Sequence, residues 1–268
     1  MTLAQSVKSL VRRFGFDVIR YRPNAANTQL GKLLLAIADV RTLSEDYPDL
    51  EEGAFLDFCC KHARESTSQL FQDLFVLFTL REKSNGFFVE FGATNGRDLS
   101  NTYLLEKRYG WKGILAEPAK GWRDELSVNR SCALDFRCVW TKDGDNVTFN
   151  EAESGEYSTI QQYASKDHHA RSRSGGERYS VETVSLNSLL RDHRAPAVID
   201  YMSIDTEGSE LDILSQFDFS QFQVNIITVE HNHTANRGKV HALLTTRGFV
   251  RRFDSLSLWD DWYVAKPR

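Results

Sequence analysis

The chain has 268 residues, 33 Lys and Arg against 37 Asp and Glu, and a formal net charge of −4. That length holds one large α/β domain plus an appendage, and the acidic balance excludes nucleic acid as the main partner, because phosphate binding rests on an excess of clustered Lys and Arg. The four cysteines, Cys59, Cys60, Cys132 and Cys138, form no C-x-x-C pair and no disulfide spacing, which suits a reducing cytoplasm.

Residues 1–84 read as helical and form an expected N-terminal helical subdomain. Val7, Leu10, Val11 and Phe14 recur at helix spacing, as do Leu30, Leu33, Leu34, Ile37 and Val40, and a third helix is expected over 53–81. Lys8, Arg12 and Arg13 interrupt the first apolar stretch, so no signal peptide is expected. With Arg20 and Arg22 these cations fit either docking of an amphipathic helix on the core or peripheral contact with the inner face of a membrane. No apolar run reaches the roughly 20 residues that would span a bilayer.

From Phe87 onward strands and helices alternate, which predicts a mostly parallel, doubly wound sheet over 85–268. Strands are expected at 87–93, 113–117, 134–140, 198–205, 224–230, 249–254 and 258–265. The last two are joined by so few residues that they must pair antiparallel. Between 141 and 186 the alternation stops: 146–151 and 179–186 have strand character, but 165–178 is a long polar loop. Its Lys166, His168, His169, Arg171, Arg173 and Arg178 fit either a solvated loop or a lid that orders over an anionic acceptor.

The segment FFVEFGATNGRDLSNTYLLEKRYGWKGILAEP, 87–118, joins an apolar strand, a glycine turn, a helix and an acid-tipped second strand. Gly92 and Gly96 permit close backbone approach to a ligand, and Glu117 stands where a carboxylate accepts the hydroxyls of a ribose. The turn Gly92-Ala93-Thr94-Asn95-Gly96 lacks the G-x-G-x-x-G spacing of a pyrophosphate loop. With Glu90 ahead of it, it resembles the E-x-G-x-x-x-G loop that binds S-adenosylmethionine (SAM). The whole segment, together with YMSIDTEGSELDIL at 201–214 and ITVEHN at 227–232, resembles the FkbM-type methyltransferases.

That resemblance implies a seven-stranded Rossmann-like SAM methyltransferase sheet of order 3-2-1-4-5-7-6. It implies a SAM-dependent O-methyltransferase, with a sugar hydroxyl of a surface glycan or secondary metabolite as acceptor. An N-methyltransferase, a nucleotide-sugar enzyme on a similar sheet and a non-catalytic binding module are the alternatives. Cofactor contacts are expected from Glu90, Gly92, Ala93, Thr94, Asn95, Gly96, Asn101, Glu117, Pro118 and Asp205, with Cys138, Val139 and Trp140 beside the adenine. Glu90 inside an apolar strand needs partners, so it either orders the turn or meets the SAM amine. Asn95 and Asn101 either contact the methionine portion or cap the following helix.

Strand tips of a parallel sheet deliver their residues to one crevice. Asp205, Glu207 and His231 are therefore the expected catalytic residues. Asp205, Glu230 and His231 are an expected ligand set for Mg²⁺ or Mn²⁺, with metal-free deprotonation by Glu207, His231 or His233 as the alternative. The acceptor is a small molecule or glycan; its identity and the oligomeric state are not written in any motif.

Overall fold

The computed structural model describes residues 51–165 and 170–267. The predicted helices within the first 50 residues, and Lys166, His168 and His169 of the long loop, lie outside the described residues. Helix α1 spans Glu51–His62 and α2 spans Gln72–Thr79. The single helix expected over 53–81 is thus two helices, and the reason is local. Ser66 Oγ donates to Asp73 Oδ1 at 2.6 Å, Thr67 N donates to Asp73 Oδ2 at 3.1 Å, and Asp73 N donates to Ser68 Oγ at 3.0 Å. Short polar side chains have here taken over backbone groups that a continuous helix would have used.

The main sheet contains β1 (Phe87–Phe91), β2 (Lys112–Ala116), β3 (Ala133–Asp135), β8 (Val198–Ile204), β9 (Gln223–Glu230), β10 (Phe249–Arg252) and β11 (Asp260–Ala265), in the order β10-β11-β9-β8-β1-β2-β3. Counted among its own strands, this is the expected 3-2-1-4-5-7-6 read from the other edge; the four strands of a second sheet intervene between its third and fourth members. β1 lies between β2 and β8, parallel to both, and β11 is antiparallel to β9 and β10.

Alternation along β1 sends Phe88 to one face and Val89 and Phe91 to the other, and both faces are covered. On the first face Phe55 of α1 and Phe75 of α2 pack with Phe253 and Trp262, the Phe75 and Trp262 rings stacked at 4.8 Å. The described part of the N-terminal helical stretch therefore shares one apolar core with the sheet. On the other face α5 (Leu186–Asp192), α6 (Glu210–Gln216) and α7 (Asn236–Thr246) bury Leu189, Leu190, Leu214 and Leu244. The remaining helices are α3 (Tyr103–Tyr109) and α4 (Arg123–Asn129).

One expected strand, 134–140, is divided. β3 ends at Asp135, and β4 (Cys138–Trp140) leaves the main sheet to pair parallel with β7 (Glu177–Ser185). Asp135 drives the division, because its carboxylate accepts the backbone N–H of Arg137 at 2.9 Å and the Arg137 guanidinium at 2.6 Å, turning the chain between the two strands. β5 (Asn146–Glu151) and β6 (Thr159–Ile160) complete a second sheet of order β4-β7-β5-β6, so the strand character read at 146–151 and 179–186 belongs to this small sheet. Among the described residues, no helix is long and apolar enough to cross a membrane.

Candidate active site

A cavity of about 380 Å³ opens where the carboxyl ends of β1, β2, β8 and β9 meet the small sheet. At one end the β1 turn is pressed against the tip of β8. Gly92 has φ +71°, and a Cβ there would lie 2.0 Å from the carbonyl oxygen of Asp205, so only glycine lets the two backbones meet. Thr94, also at positive φ, donates its N–H to Glu117 Oε2 at 2.9 Å, and Ala119 N donates to Oε1 at 2.9 Å. Burial pushes the Glu117 carboxyl up to about 7, against the opposing pull of these two N–H groups.

Of the positions expected to contact a cofactor, Gly92, Thr94, Asn101, Glu117, Pro118, Cys138, Val139 and Asp205 line this cavity. Glu90, Ala93, Asn95, Gly96 and Trp140 are not in its lining. Glu90 is buried and accepts hydrogen bonds from Ser100 Oγ at 3.0 Å, Asn101 N at 2.7 Å and Thr102 Oγ1 at 2.5 Å, so its carboxylate orders the turn rather than facing a ligand. Asn95 Oδ1 accepts from Arg97 N and Asp98 N, closing the loop on itself. Ala93 is buried, with its carbonyl taken by Gly96 N, and Gly96 is required by packing, since a Cβ there would meet Leu126 at 2.4 Å. Trp140 turns the other way and packs edge-on against Tyr163 at 5.7 Å. Cys138 sits in the cavity wall with its thiol pushed up to about 12 by burial, which leaves it no thiolate character.

Into the same cavity project the acids of the β8 and β9 tips. Asp205, Glu207 and Glu230 each offer an oxygen within 4.8 Å of the others. Asp205 and Glu230 form a hydrogen-bonded carboxyl pair, and both are raised, first by removal from water; the neighbouring acids add to the rise at Glu230, and Glu210 and Glu90 add to that at Asp205. A hydrogen bond between two carboxyl groups requires a proton on one of them. Glu207 differs, because its Oε2 accepts from Arg173 Nη2 at 2.7 Å and from Asn232 Nδ2 at 3.2 Å.

Arg173 comes from the long basic loop, is 1% exposed, and also donates through Nε to the Tyr157 carbonyl at 2.5 Å. Thr159 Oγ1 adds a bond to the Glu207 carbonyl at 2.9 Å, so the small sheet is stitched to the β8 tip at two levels. His231, expected as a catalytic residue and metal ligand, does not line the cavity and is not in the acid cluster. Its Nδ1 accepts from His233 N at 3.0 Å, and burial draws its pKa down to about 4, so the ring is neutral. His233 lines the cavity in its place.

Sequence reasoning did not find Gln69, Gln72, Phe149, Tyr157, Ile160 and Trp259 in the lining. The break in strand alternation after residue 141 was the available signal for the wall contributed by the small sheet.

This architecture, a parallel sheet with a terminal antiparallel hairpin and a glycine turn facing an acid-tipped neighbouring strand, is the Rossmann-like arrangement of SAM-dependent methyltransferases. The model of the methyltransferase FkbM domain matches residues 90–258, and the chain belongs to that family. No curated protein matches the chain. Among solved structures, it is similar to a precorrin-6y C5,15-methyltransferase from Geobacter metallireducens GS-15, at 11% identity and TM-score 0.39 over 67% of this chain and 71% of that one. It is also similar to a methyltransferase from Pyrococcus furiosus, at 10% identity and TM-score 0.37 over 74% and 82% of the two chains.

Proposed function

We propose that this chain is a SAM-dependent O-methyltransferase that acts on a hydroxyl of a sugar-like acceptor, from a surface glycan or a secondary metabolite. The observation that carries this reading is that Glu117 and the Asp205–Glu230 pair line one cavity. The cofactor implied by the family fits the residues present. Gly92 leaves room where any side chain would strike the Asp205 backbone, and the Glu117 carboxylate is held by N–H groups rather than by a cation. Glu117 would take the ribose hydroxyls, Pro118, Cys138 and Val139 would flank the adenine, and Gly92 and Thr94 would border the amino-acid portion.

Bound there, SAM supplies a methyl group on a sulfonium sulfur. The protein's own contribution is alignment and proton removal. The ionised oxygen of the Asp205–Glu230 pair accepts the acceptor's hydroxyl proton. Glu207, fixed by Arg173 and Asn232, orients that hydroxyl. Phe149 and Ile160 of the small sheet give the cavity an apolar wall.

A second reading is favoured by the mutual approach of Asp205, Glu207 and Glu230: these oxygens would suit Mg²⁺ or Mn²⁺, which would acidify the acceptor hydroxyl. Full activity in EDTA would reject it.

Calorimetric titration with SAM, and with NAD as a control, tests the cofactor assignment. Glu117→Gln is expected to weaken SAM binding by roughly 1.5–3 kcal/mol, the value of a hydrogen bond to a charged group. Unchanged affinity in the folded variant would remove Glu117 from the cofactor site.

A further inference from the structure

The lining of the cavity contains the carboxyl groups of Glu117, Glu156, Asp205, Glu207 and Glu230 and, among the described residues, no Lys or Arg. The described cations of the basic loop do not reverse this balance. Arg173 is spent on Glu207 and the Tyr157 carbonyl, Arg171 is exposed, and Arg178 donates to Gln161. Glu156 is exposed at the cavity rim and enters no ion pair among the described residues. Beside it Tyr157 brings an aromatic side chain into the same lining as Glu207 and Glu230. Trp259 adds a second aromatic side chain to the lining.

A separate observation also points to a donor-rich ligand. Asn101 Oδ1 is buried with no hydrogen-bond partner, while its Nδ2 is committed to Ser203 Oγ at 2.9 Å. Asn101 is 8% exposed and borders the acid end beside Asp205, Glu230 and Trp259. Acceptor atoms and aromatic faces recognise an ammonium group, which carries only donors and a full positive charge. They repel a phosphate.

We infer that the acceptor of this enzyme carries a protonated amine, bound at the rim by Glu156 and Tyr157, so that the site takes an amino-sugar-like polyol and turns away phosphorylated sugars. This rests on the methyltransferase reading above and specifies its substrate class.

The test loads the full chain with S-adenosylhomocysteine and titrates it calorimetrically with methyl glucoside, with the methyl glycoside of glucosamine and with a glucose phosphate, at low and at high salt. The amine is expected to bind about tenfold more tightly than the neutral sugar, with the advantage shrinking in salt, and the phosphate is expected to bind most weakly. Glu156→Gln, at an exposed position, is expected to reduce the amine's advantage about fivefold with S-adenosylhomocysteine affinity unchanged. The inference is overturned if the amine shows no advantage or no binding, if the phosphate equals or exceeds it, or if Glu156→Gln leaves the preference intact. Failure of S-adenosylhomocysteine itself to bind would instead reject the methyltransferase reading, so the two failures are distinct.

Discussion

Replacing Arg130 with methionine is expected to cost about 3–5 kcal/mol of folding stability, the value for removing one partner of a buried ion pair. The Arg130 side chain is fully buried, with Nε 2.7 Å from Glu106 Oε2 and Nη1 3.6 Å from Glu90 Oε2. It also donates to the Gly96 carbonyl at 3.0 Å and to Thr102 Oγ1 at 2.8 Å, so a single guanidinium holds together the glycine turn, the start of α3 and the end of α4. Without it, Glu90 and Glu106 lose their counter-charge while their other hydrogen bonds keep them in place. The pH dependence gives an independent check. Burial pushes the Glu106 carboxyl up, but Arg130 outweighs burial and the net result is a fall from 4.5 to about 2. A carboxylate with a depressed folded-state pKa stabilises the fold above its unfolded value and loses that contribution as pH falls through the folded one. The parent chain should therefore keep this term down to about pH 4.5 and lose it towards 2, and Arg130→Met should lack it throughout. Urea unfolding at neutral pH and across the acid range measures both effects. A loss under about 1 kcal/mol would mean that Glu90 and Glu106 do not depend on Arg130.

Asp205→Asn and Glu230→Gln are each expected to lower kcat by about 10²–10⁴, the range attributable to a positioned general base. In the parent, the base is the ionised member of a pair that is raised above the ordinary carboxylate range. The rate should therefore fall as acid is added through that raised range, well before an isolated carboxylate near about 4 would be protonated. In both variants that acid limb should disappear. Glu207→Gln should have a smaller effect, because an amide in that place still accepts a hydrogen bond from Arg173. Parent-like kcat in both Asp205→Asn and Glu230→Gln would reject the assignment of the base, and SAM titration of the same samples would show whether the cofactor site survived.

Much of the cofactor end was legible in the sequence because its determinants are contiguous. Phe87 to Pro118 is a strand, a turn, a helix and a second strand in unbroken order, and the glycine, the strand tip and Glu117 can be placed by counting. The roles of Glu90 and Asn95 were only half legible. That a carboxylate in an apolar strand needs partners follows from solvation, but Arg130 lies 40 positions further along, and nothing local assigns it to Glu90. The acid end was readable at Asp205, Glu207 and Glu230, since parallel strands bring their tips together. Orientation was not: whether His231 or His233 faces the cavity depends on the turn after β9, where Asn232 and His233 both have positive φ. Three-dimensional pairing hid the rest. Apolar alternation from 134 to 140 looks continuous, and only the Asp135–Arg137 contact shows that it serves two sheets. Arg173 reads as one more charge in a polar loop until the fold buries it.

The division of that strand also puts one sheet beside both proposed ligand positions. Cys138 and Val139, beside the proposed adenine position, are hydrogen-bonded through β7 and β5 to Phe149 and to Ile160 of β6, on the proposed acceptor side. One sheet thus forms a common wall beside both proposed positions, and a shift of that wall on binding at one would be felt at the other. Thermodynamic reciprocity then requires that whatever factor the acceptor imposes on cofactor affinity, the cofactor imposes on acceptor affinity.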